Sequence, residues 1–282
     1  MITTELMKST TMLLIILLVI SWMFIPSLVL PMDDVWRKVD SGLHVSEFGV
    51  PRSPAIKDST VTVVKIDPML YSLKLLSASE HGKVKMRVKD WCQRHNLIAG
   101  INAGMYVEDG IKNVGYMKNF DHVNNPRVNT SYKAMLAFNK LEPDVPEVQI
   151  IDLRCGDFEV WRHKYQTFVQ GIRMISCRQE SVWVQQPKKW SMAVLGIDKE
   201  GNVLFIFSEA PYSGYDFSNI LLSLPISVHN AMYLEGGPEA NLYFSAHGVE
   251  FERVGIYGTD FEDNRFRSVA RPVPNVIGIT KK

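Results

Sequence analysis

Ala231-Met232-Tyr233-Leu234-Glu235-Gly236-Gly237-Pro238-Glu239-Ala240-Asn241-Leu242-Tyr243-Phe244 is a strand, a turn and a second strand in fourteen residues. An apolar run stops at a carboxylate, Glu235. Two glycines and a proline follow, then a second carboxylate, Glu239, then another apolar run. Gly236 and Gly237 lack Cβ atoms, so the backbone there can take positive φ and a ligand can approach the amides. Pro238 fixes the direction in which the chain leaves the turn. An acid at a strand end, beside a glycine turn, is where a sheet protein presents chemistry. The alternative is a plain turn carrying two solvated acids.

Outward from this stretch, runs rich in β-branched and aromatic residues predict strands at 43–50, 60–66, 71–77, 133–138, 148–153, 158–161, 171–176, 192–197, 203–208, 231–234, 242–244 and 276–279. The polar turn Asp198-Lys199-Glu200-Gly201 joins two of them as a hairpin. Helices are predicted at 85–95, on the spacing of Met86, Val88, Trp91 and Cys92, and at 217–224, capped by Asp216 and ended by Pro225. Many strands and few helices, out of regular alternation, indicate the α+β class: one domain with a large mixed or antiparallel sheet.

The chain has 282 residues, 46% hydrophobic and 22% charged, enough for one large core. A net charge of +1 without a run of Lys or Arg argues against a nucleic-acid partner. Met12 to Leu30 carries no charge and is long enough to span a bilayer, with Pro26 weakening its last turn. A poor cleavage site after it favours a signal anchor over a removed signal peptide, and a buried helix is the bland alternative. Either export reading puts the body outside the cytoplasm and gives the chain a membrane contact. The expected organisation is a flank at 1–11, the anchor or signal peptide at 12–30, a linker at 31–42 and the domain at 43–282. Of three cysteines, Cys155 and Cys177 can pair in an exported protein; three unpaired buried thiols are the alternative.

Four segments carry a resemblance. Asn102-Ala103-Gly104-Met105-Tyr106, the pair Val194-Leu195-Gly196-Ile197-Asp198 and Gly201-Asn202-Val203-Leu204, Leu234-Glu235-Gly236-Gly237-Pro238-Glu239-Ala240, and Arg271-Pro272-Val273-Pro274-Asn275 stand in that order. Together they resemble the phosphodiester glycosidase family, over about residues 60 to 280, and its bacterial exported branch in particular. The resemblance implies a hydrolase that releases a sugar from a glycosyl phosphodiester. Two departures stand out: Glu235 replaces the family's Asp, and Glu239 its Ser. Trp190-Ser191-Met192 stands where the family usually has an Arg, with Lys188 and Lys189 close by.

Cleavage at the sugar carbon needs a base for water or a carboxylate nucleophile, and donors for the phosphate oxygens. Glu235 is the expected carboxylate and Glu239 the second. Arg173, in Gln170-Gly171-Ile172-Arg173, offers a fork for phosphate, or is a surface strand Arg with an acidic partner. Asn102 can bond substrate or hold a turn, and Gly104 lets a sugar approach the backbone. Gln170, Gly236, Gly237, Tyr212, Ser213 and Lys118, with His122 as an alternative to Lys118, complete the expected binding set. Tyr212 and Ser213 also suit an ordinary helix-capping loop. No cofactor is expected; a calcium or magnesium ion held by Glu235, Glu239 and carbonyls is the alternative. A glycan-binding protein without turnover, and a glycosidase acting on sugars without phosphate, are the rival functions on the same residues.

Overall fold

Alternation of side chains along the strands sorts the chain into two facing sheets. The computed structural model describes residues 35–50, 59–257 and 269–282. The apolar segment 12–30, read as anchor or signal peptide, lies outside the described residues. No described helix is long and apolar enough to cross a membrane.

In chain order the strands are β1 (Arg37–Asp40), β2 (Leu43–Gly49), β3 (Thr60–Ile66), β4 (Tyr71–Ser77), β5 (Ala99–Asn102), β6 (Met117–Asn119), β7 (His122–Asn125) and β8 (Lys133–Lys140). They continue as β9 (Val148–Asp152), β10 (Tyr165–Ile175), β11 (Trp190–Asp198), β12 (Val203–Tyr212), β13 (Val228–Gly236), β14 (Asn241–Ala246), β15 (Val249–Val254) and β16 (Asn275–Lys281). The larger sheet runs β1-β2-β3-β12-β11-β13-β10-β6-β7, with β8 on β10 and β9 on β8; the smaller runs β15-β14-β5-β16-β4. Every pairing between these strands is antiparallel. The expected large mixed or antiparallel sheet is antiparallel throughout, and a second, smaller antiparallel sheet accompanies it.

The core lies between them. Met232 and Leu234 of β13, Leu195 of β11 and Phe205 of β12 meet Ile101, Leu242, Phe244 and Ile277 of the smaller sheet. The alternate residues Tyr233, Val194, Leu204 and Ile206 face the other way and are covered by Phe217, Ile220 and Leu221 of the helix Gly214–Ser223. The central strand β11 is buried along its whole length, as a strand covered on both faces should be. Across the molecule, the helix Val88–Arg94 buries Val88, Trp91 and Cys92 against Tyr243 and Val276. Gly100 is needed there, because a Cβ on it would lie 2.5 Å from the Cys92 sulfur.

Several predicted elements shift. Phe158–Trp161 is a single helical turn, not a strand, because the Asp157 side chain accepts a hydrogen bond from the Glu159 amide and caps it. The strand predicted from Gly171 begins at Tyr165, and the expected linker 31–42 contains β1, which pairs with β2. The polar segment around Lys118 and His122 forms the hairpin β6–β7. The helix predicted from Phe217 starts at Gly214, and its cap is Ser213, which accepts from the Asp216 amide. Asp216 is thus a first-turn residue rather than the cap. Cys155 and Cys177 form a disulfide, and Cys92 is a buried free thiol.

Candidate active site

Strand β13 delivers Glu235 to the rim of the core. Its regular pairing with β11 is interrupted by a bulge: Ala193 lies opposite Glu235 and Val194 opposite Tyr233. A bulge re-aims the residue it carries. Gly236 and Gly237 then make room for rings. A Cβ on Gly236 would fall 2.0 Å from Trp190 and 2.3 Å from the Tyr233 hydroxyl. Gly237 has φ of +66°, and a Cβ there would fall 2.6 Å from Tyr257. The glycine pair therefore lets aromatic side chains close against the turn, and the Gly236 amide donates to Glu235 Oε1 at 3.0 Å.

Burial governs the carboxyl. Glu235 keeps some contact with solvent, yet protein encloses its carboxyl group, and burial pushes its pKa up to about 8. The charge of Glu239 pushes the same way, and the Gly236 amide opposes both. At neutral pH Glu235 is a protonated acid. Tyr106, Tyr132 and Tyr233 are all raised, first by burial; the charge of Glu235 adds to each, and for Tyr106 that of Glu239 adds more. Trp190 Nε1 donates to the Tyr233 hydroxyl at 3.1 Å, and the Tyr132 hydroxyl lies 3.9 Å from the Met105 sulfur.

Glu239 is held differently. An Arg271 nitrogen donates to its Oε1 at 2.7 Å, and the guanidinium is more than half exposed. Lys85 stands 5.9 Å from the centre of the Tyr106 ring and Lys188 stands 5.6 Å from that of Trp190. The segment that lacks the family's Arg thus brings an ammonium to an aromatic side chain of the site.

Asn102, at the end of β5, is buried. Its Oδ1 accepts from the Asn241 amide at 3.0 Å, and its Nδ2 has no hydrogen-bond partner among the described residues. Asn241 Nδ2 donates to the Glu239 carbonyl at 3.0 Å, so the two asparagines link β5 to the turn that carries Glu239. Gly104 has φ of +80°, and a Cβ on it would lie 2.6 Å from Asn113 Oδ1. Gln170 is fully engaged: its oxygen accepts from the Tyr116 and Asn129 amides and its nitrogen donates to the Asn129 carbonyl. The Tyr132 amide also bonds to that carbonyl, so Gln170 supports Tyr132 from behind.

Other expected residues stand apart from this group. Arg173 Nε donates to Asp152 at 2.7 Å, the acidic partner weighed from sequence. Tyr212 stacks on Phe217 and bonds to Ser59, and Ser213 caps the helix with its hydroxyl 2.7 Å from Gln185 Oε1. Lys118 lies opposite Phe168, and His122 bonds to the Ser79 hydroxyl. Of the two carboxylates weighed as cation ligands, Glu239 is bonded to Arg271. Among the described residues, the grouping with metal-ligand spacing is Asp152, Cys155 and Cys177, and its sulfurs are bonded to each other.

Sequence reasoning missed Tyr106, Tyr132, Tyr233, Tyr257, Trp190 and Arg271 as site residues. Tyr106 and Arg271 stand inside the four motifs, Tyr233 directly before the third, and Trp190 where the family usually has an Arg; those positions are the available signal. Tyr132 had none.

Comparison with known proteins follows the same residues. No match was found among curated proteins. Solved structures share the fold, two of them over most of this chain. The catalytic domain of zebrafish N-acetylglucosamine-1-phosphodiester alpha-N-acetylglucosaminidase, auto-inhibited by its pro-peptide, aligns at TM-score 0.57 and 11% identity, over 88% of this chain and 84% of that one. A hypothetical protein from Synechocystis aligns at TM-score 0.56 and 14% identity, over 86% of this chain and 62% of that one. The family model for phosphodiester glycosidases matches residues 95–280, a span that holds Asn102, Glu235, Glu239 and Arg271, and the chain belongs to that family.

Proposed function

We propose that this protein is an exported hydrolase that cleaves the sugar from a glycosyl-1-phosphodiester by attack at the anomeric carbon. The observation that carries the reading is the pairing of a protonated, enclosed Glu235 with an Arg271-bound Glu239 across one turn. Two carboxyl groups in contrasting environments are the arrangement that divides acid from base. In this reading the bond from the anomeric carbon to the phosphate oxygen breaks, and Glu235 gives its proton to that departing oxygen. The carbon takes the oxygen of water, and the water proton passes to Glu239. The site's tyrosines supply sugar-facing surface and hydroxyl donors, and Asn102 acts through Asn241 by fixing the turn.

The Cys155–Cys177 disulfide supports an oxidising compartment, as export requires. The apolar segment 12–30 would then attach the domain to the membrane or direct its secretion. The test is sugar release from a panel of glycosyl phosphodiesters, with Glu235→Gln as the control. Release that the variant abolishes is expected. Saturable glycan binding without release, or release from aryl glycosides that lack phosphate, would overturn the assignment.

A further inference from the structure

Beside the tyrosine-lined centre lies an open hollow of about 430 Å³, lined in part by Ser131, Lys133, Arg154, Arg173, Trp183 and Gln186. Three of these side chains are cations. Arg173 is partly compensated by Asp152, but Lys133 and Arg154 have no acidic partner among the described residues. The wall that carries them is braced. Asp152 is buried, and its carboxylate accepts from Arg173 Nε, from the Arg154 amide at 2.9 Å and from the Cys177 amide at 2.9 Å. The Cys155–Cys177 disulfide ties the same two segments together. Lys133 is held at φ of +55° where β8 begins, a conformation uncommon for a residue other than glycine.

The hollow adjoins the reactive centre. Trp183 forms part of its wall, with its ring centre 5.6 Å from that of Tyr233 and 6.4 Å from that of Trp190. Its Nε1 donates to the Arg173 carbonyl. Ser131 precedes Tyr132, whose phenol feels the Glu235 charge. We infer that this hollow is an anion subsite, in which Lys133 and Arg154 bind the phosphate-bearing half of the substrate while the sugar lies at Glu235. The inference rests on the proposed reading of the Glu235 centre. Uncompensated cations on a braced wall favour a phosphate oxyanion, because the backbone that carries them is already fixed and their charge is not neutralised by a protein acid.

The test is calorimetric titration of the full chain with glycerol 3-phosphate, a phosphate monoester. The unaltered protein and Glu235→Gln should bind alike. Lys133→Asn, chosen because Asn accepts positive φ, combined with Arg154→Ala should weaken binding by about tenfold or more. Arg154→Ala alone, at an exposed position, keeps the test sound if the double variant does not fold, and should weaken binding by about threefold or more. Lys199→Ala, in the β11–β12 turn, should change nothing. Unchanged affinity in the Arg154 variants, equal loss in Lys199→Ala, or no binding by the unaltered protein at about 10 mM would overturn the inference. If Glu235→Gln keeps full turnover while the binding results hold, the catalytic reading falls and the anion subsite stands.

Discussion

Raising the pH from 7 to 9 should cut kcat/KM about tenfold, because the protonated fraction of a group with pKa near 8 falls from about nine-tenths to about one-tenth. The dependence of kcat/KM reports groups of the free enzyme, which is the state the structure describes. The assay is the initial rate of sugar release at low substrate across pH 5.5 to about 9.5. A limb that falls with rising pH near 8 is what a proton donor requires. A rate that rises through the same region would make Glu235 a base or nucleophile in its ionised form, and a flat profile would remove it from the chemistry; either result refutes the argument. The same group also leaves a mark on stability. Its pKa is raised from 4.5 in the unfolded chain to about 8 in the fold. The folded state thus holds the extra proton between those values, and stability declines as pH rises through that window. The decline should amount to ~3 kcal/mol after allowance for the carboxyl's contact with solvent. Glu235→Gln should abolish the decline, so the variant should melt above the unaltered protein at pH 9 and near it at pH 5.

Glu239→Gln removes the proposed base and should lower turnover; it also removes a charge that raises Glu235, so the alkaline limb of the residual activity should move to lower pH, and a limb that stays in place would mean the two carboxyls do not sense each other. Gly236→Ala would drive a methyl group into Trp190 and Tyr233, and thermal melts should show a loss of about 1–3 kcal/mol together with loss of turnover. Replacing Gln170 with Leu strands the amides of Tyr116 and Asn129 and should cost about 2–4 kcal/mol in chemical denaturation. Reducing the Cys155–Cys177 bond, which closes a loop with a sequence separation of 22, should cost about 3 kcal/mol, measured as the shift in denaturant midpoint with and without reductant.

The β-strand framework was legible where one face of a strand, or both, carries an unbroken apolar signal. Thr60–Ile66 and Tyr71–Ser77 match their expected limits, and the 198–201 hairpin joins β11 to β12 as read. The misses share a cause: short-range composition was outweighed by a local hydrogen bond or by pairing to a distant strand. Phe158-Glu159-Val160-Trp161 has strand-like residues, but the Asp157 cap and its short length set it as a turn of helix. Met117–Asn119 is too polar to declare itself, and it forms a strand because Thr167, Phe168 and Val169 of β10 offer it an edge. Whether one sheet or two would form could not be read locally, since β5 and β14 look like any other strands until they pair with each other.

The candidate site was legible only in its centre. The two acids and the glycines follow one another in sequence, so their proximity needs no fold. What makes Glu235 an acid is its enclosure, and Tyr106, Tyr132 and Tyr233, which share its field, reach it from separate segments of the chain. Tyr233 lies on β13, Tyr132 stands just before β8, which pairs with β10, and Tyr106 follows β5 of the smaller sheet, so it takes both sheets to bring them to one point. The same logic explains why the departures from the family's acids and cation do not read as simple losses. An added carboxylate at 239 would repel a phosphodiester if it stood alone, but Arg271 is bound to it, 32 residues further along the chain. The missing Arg before the 192–197 strand leaves Lys188 over Trp190 and, beyond Trp183, the cations of the neighbouring hollow. Charge balance in this site is therefore a property of residues distant in sequence. Arg271→Ala tests it directly: Glu239 would become an uncompensated carboxylate, repelling an anionic substrate and raising Glu235 further. The variant should raise KM for a phosphodiester by about tenfold, while its melting changes by less than about 1 kcal/mol because the guanidinium is exposed. An unchanged KM would mean that Arg271 does no more than hold the turn, and that the substrate never meets the charge of Glu239.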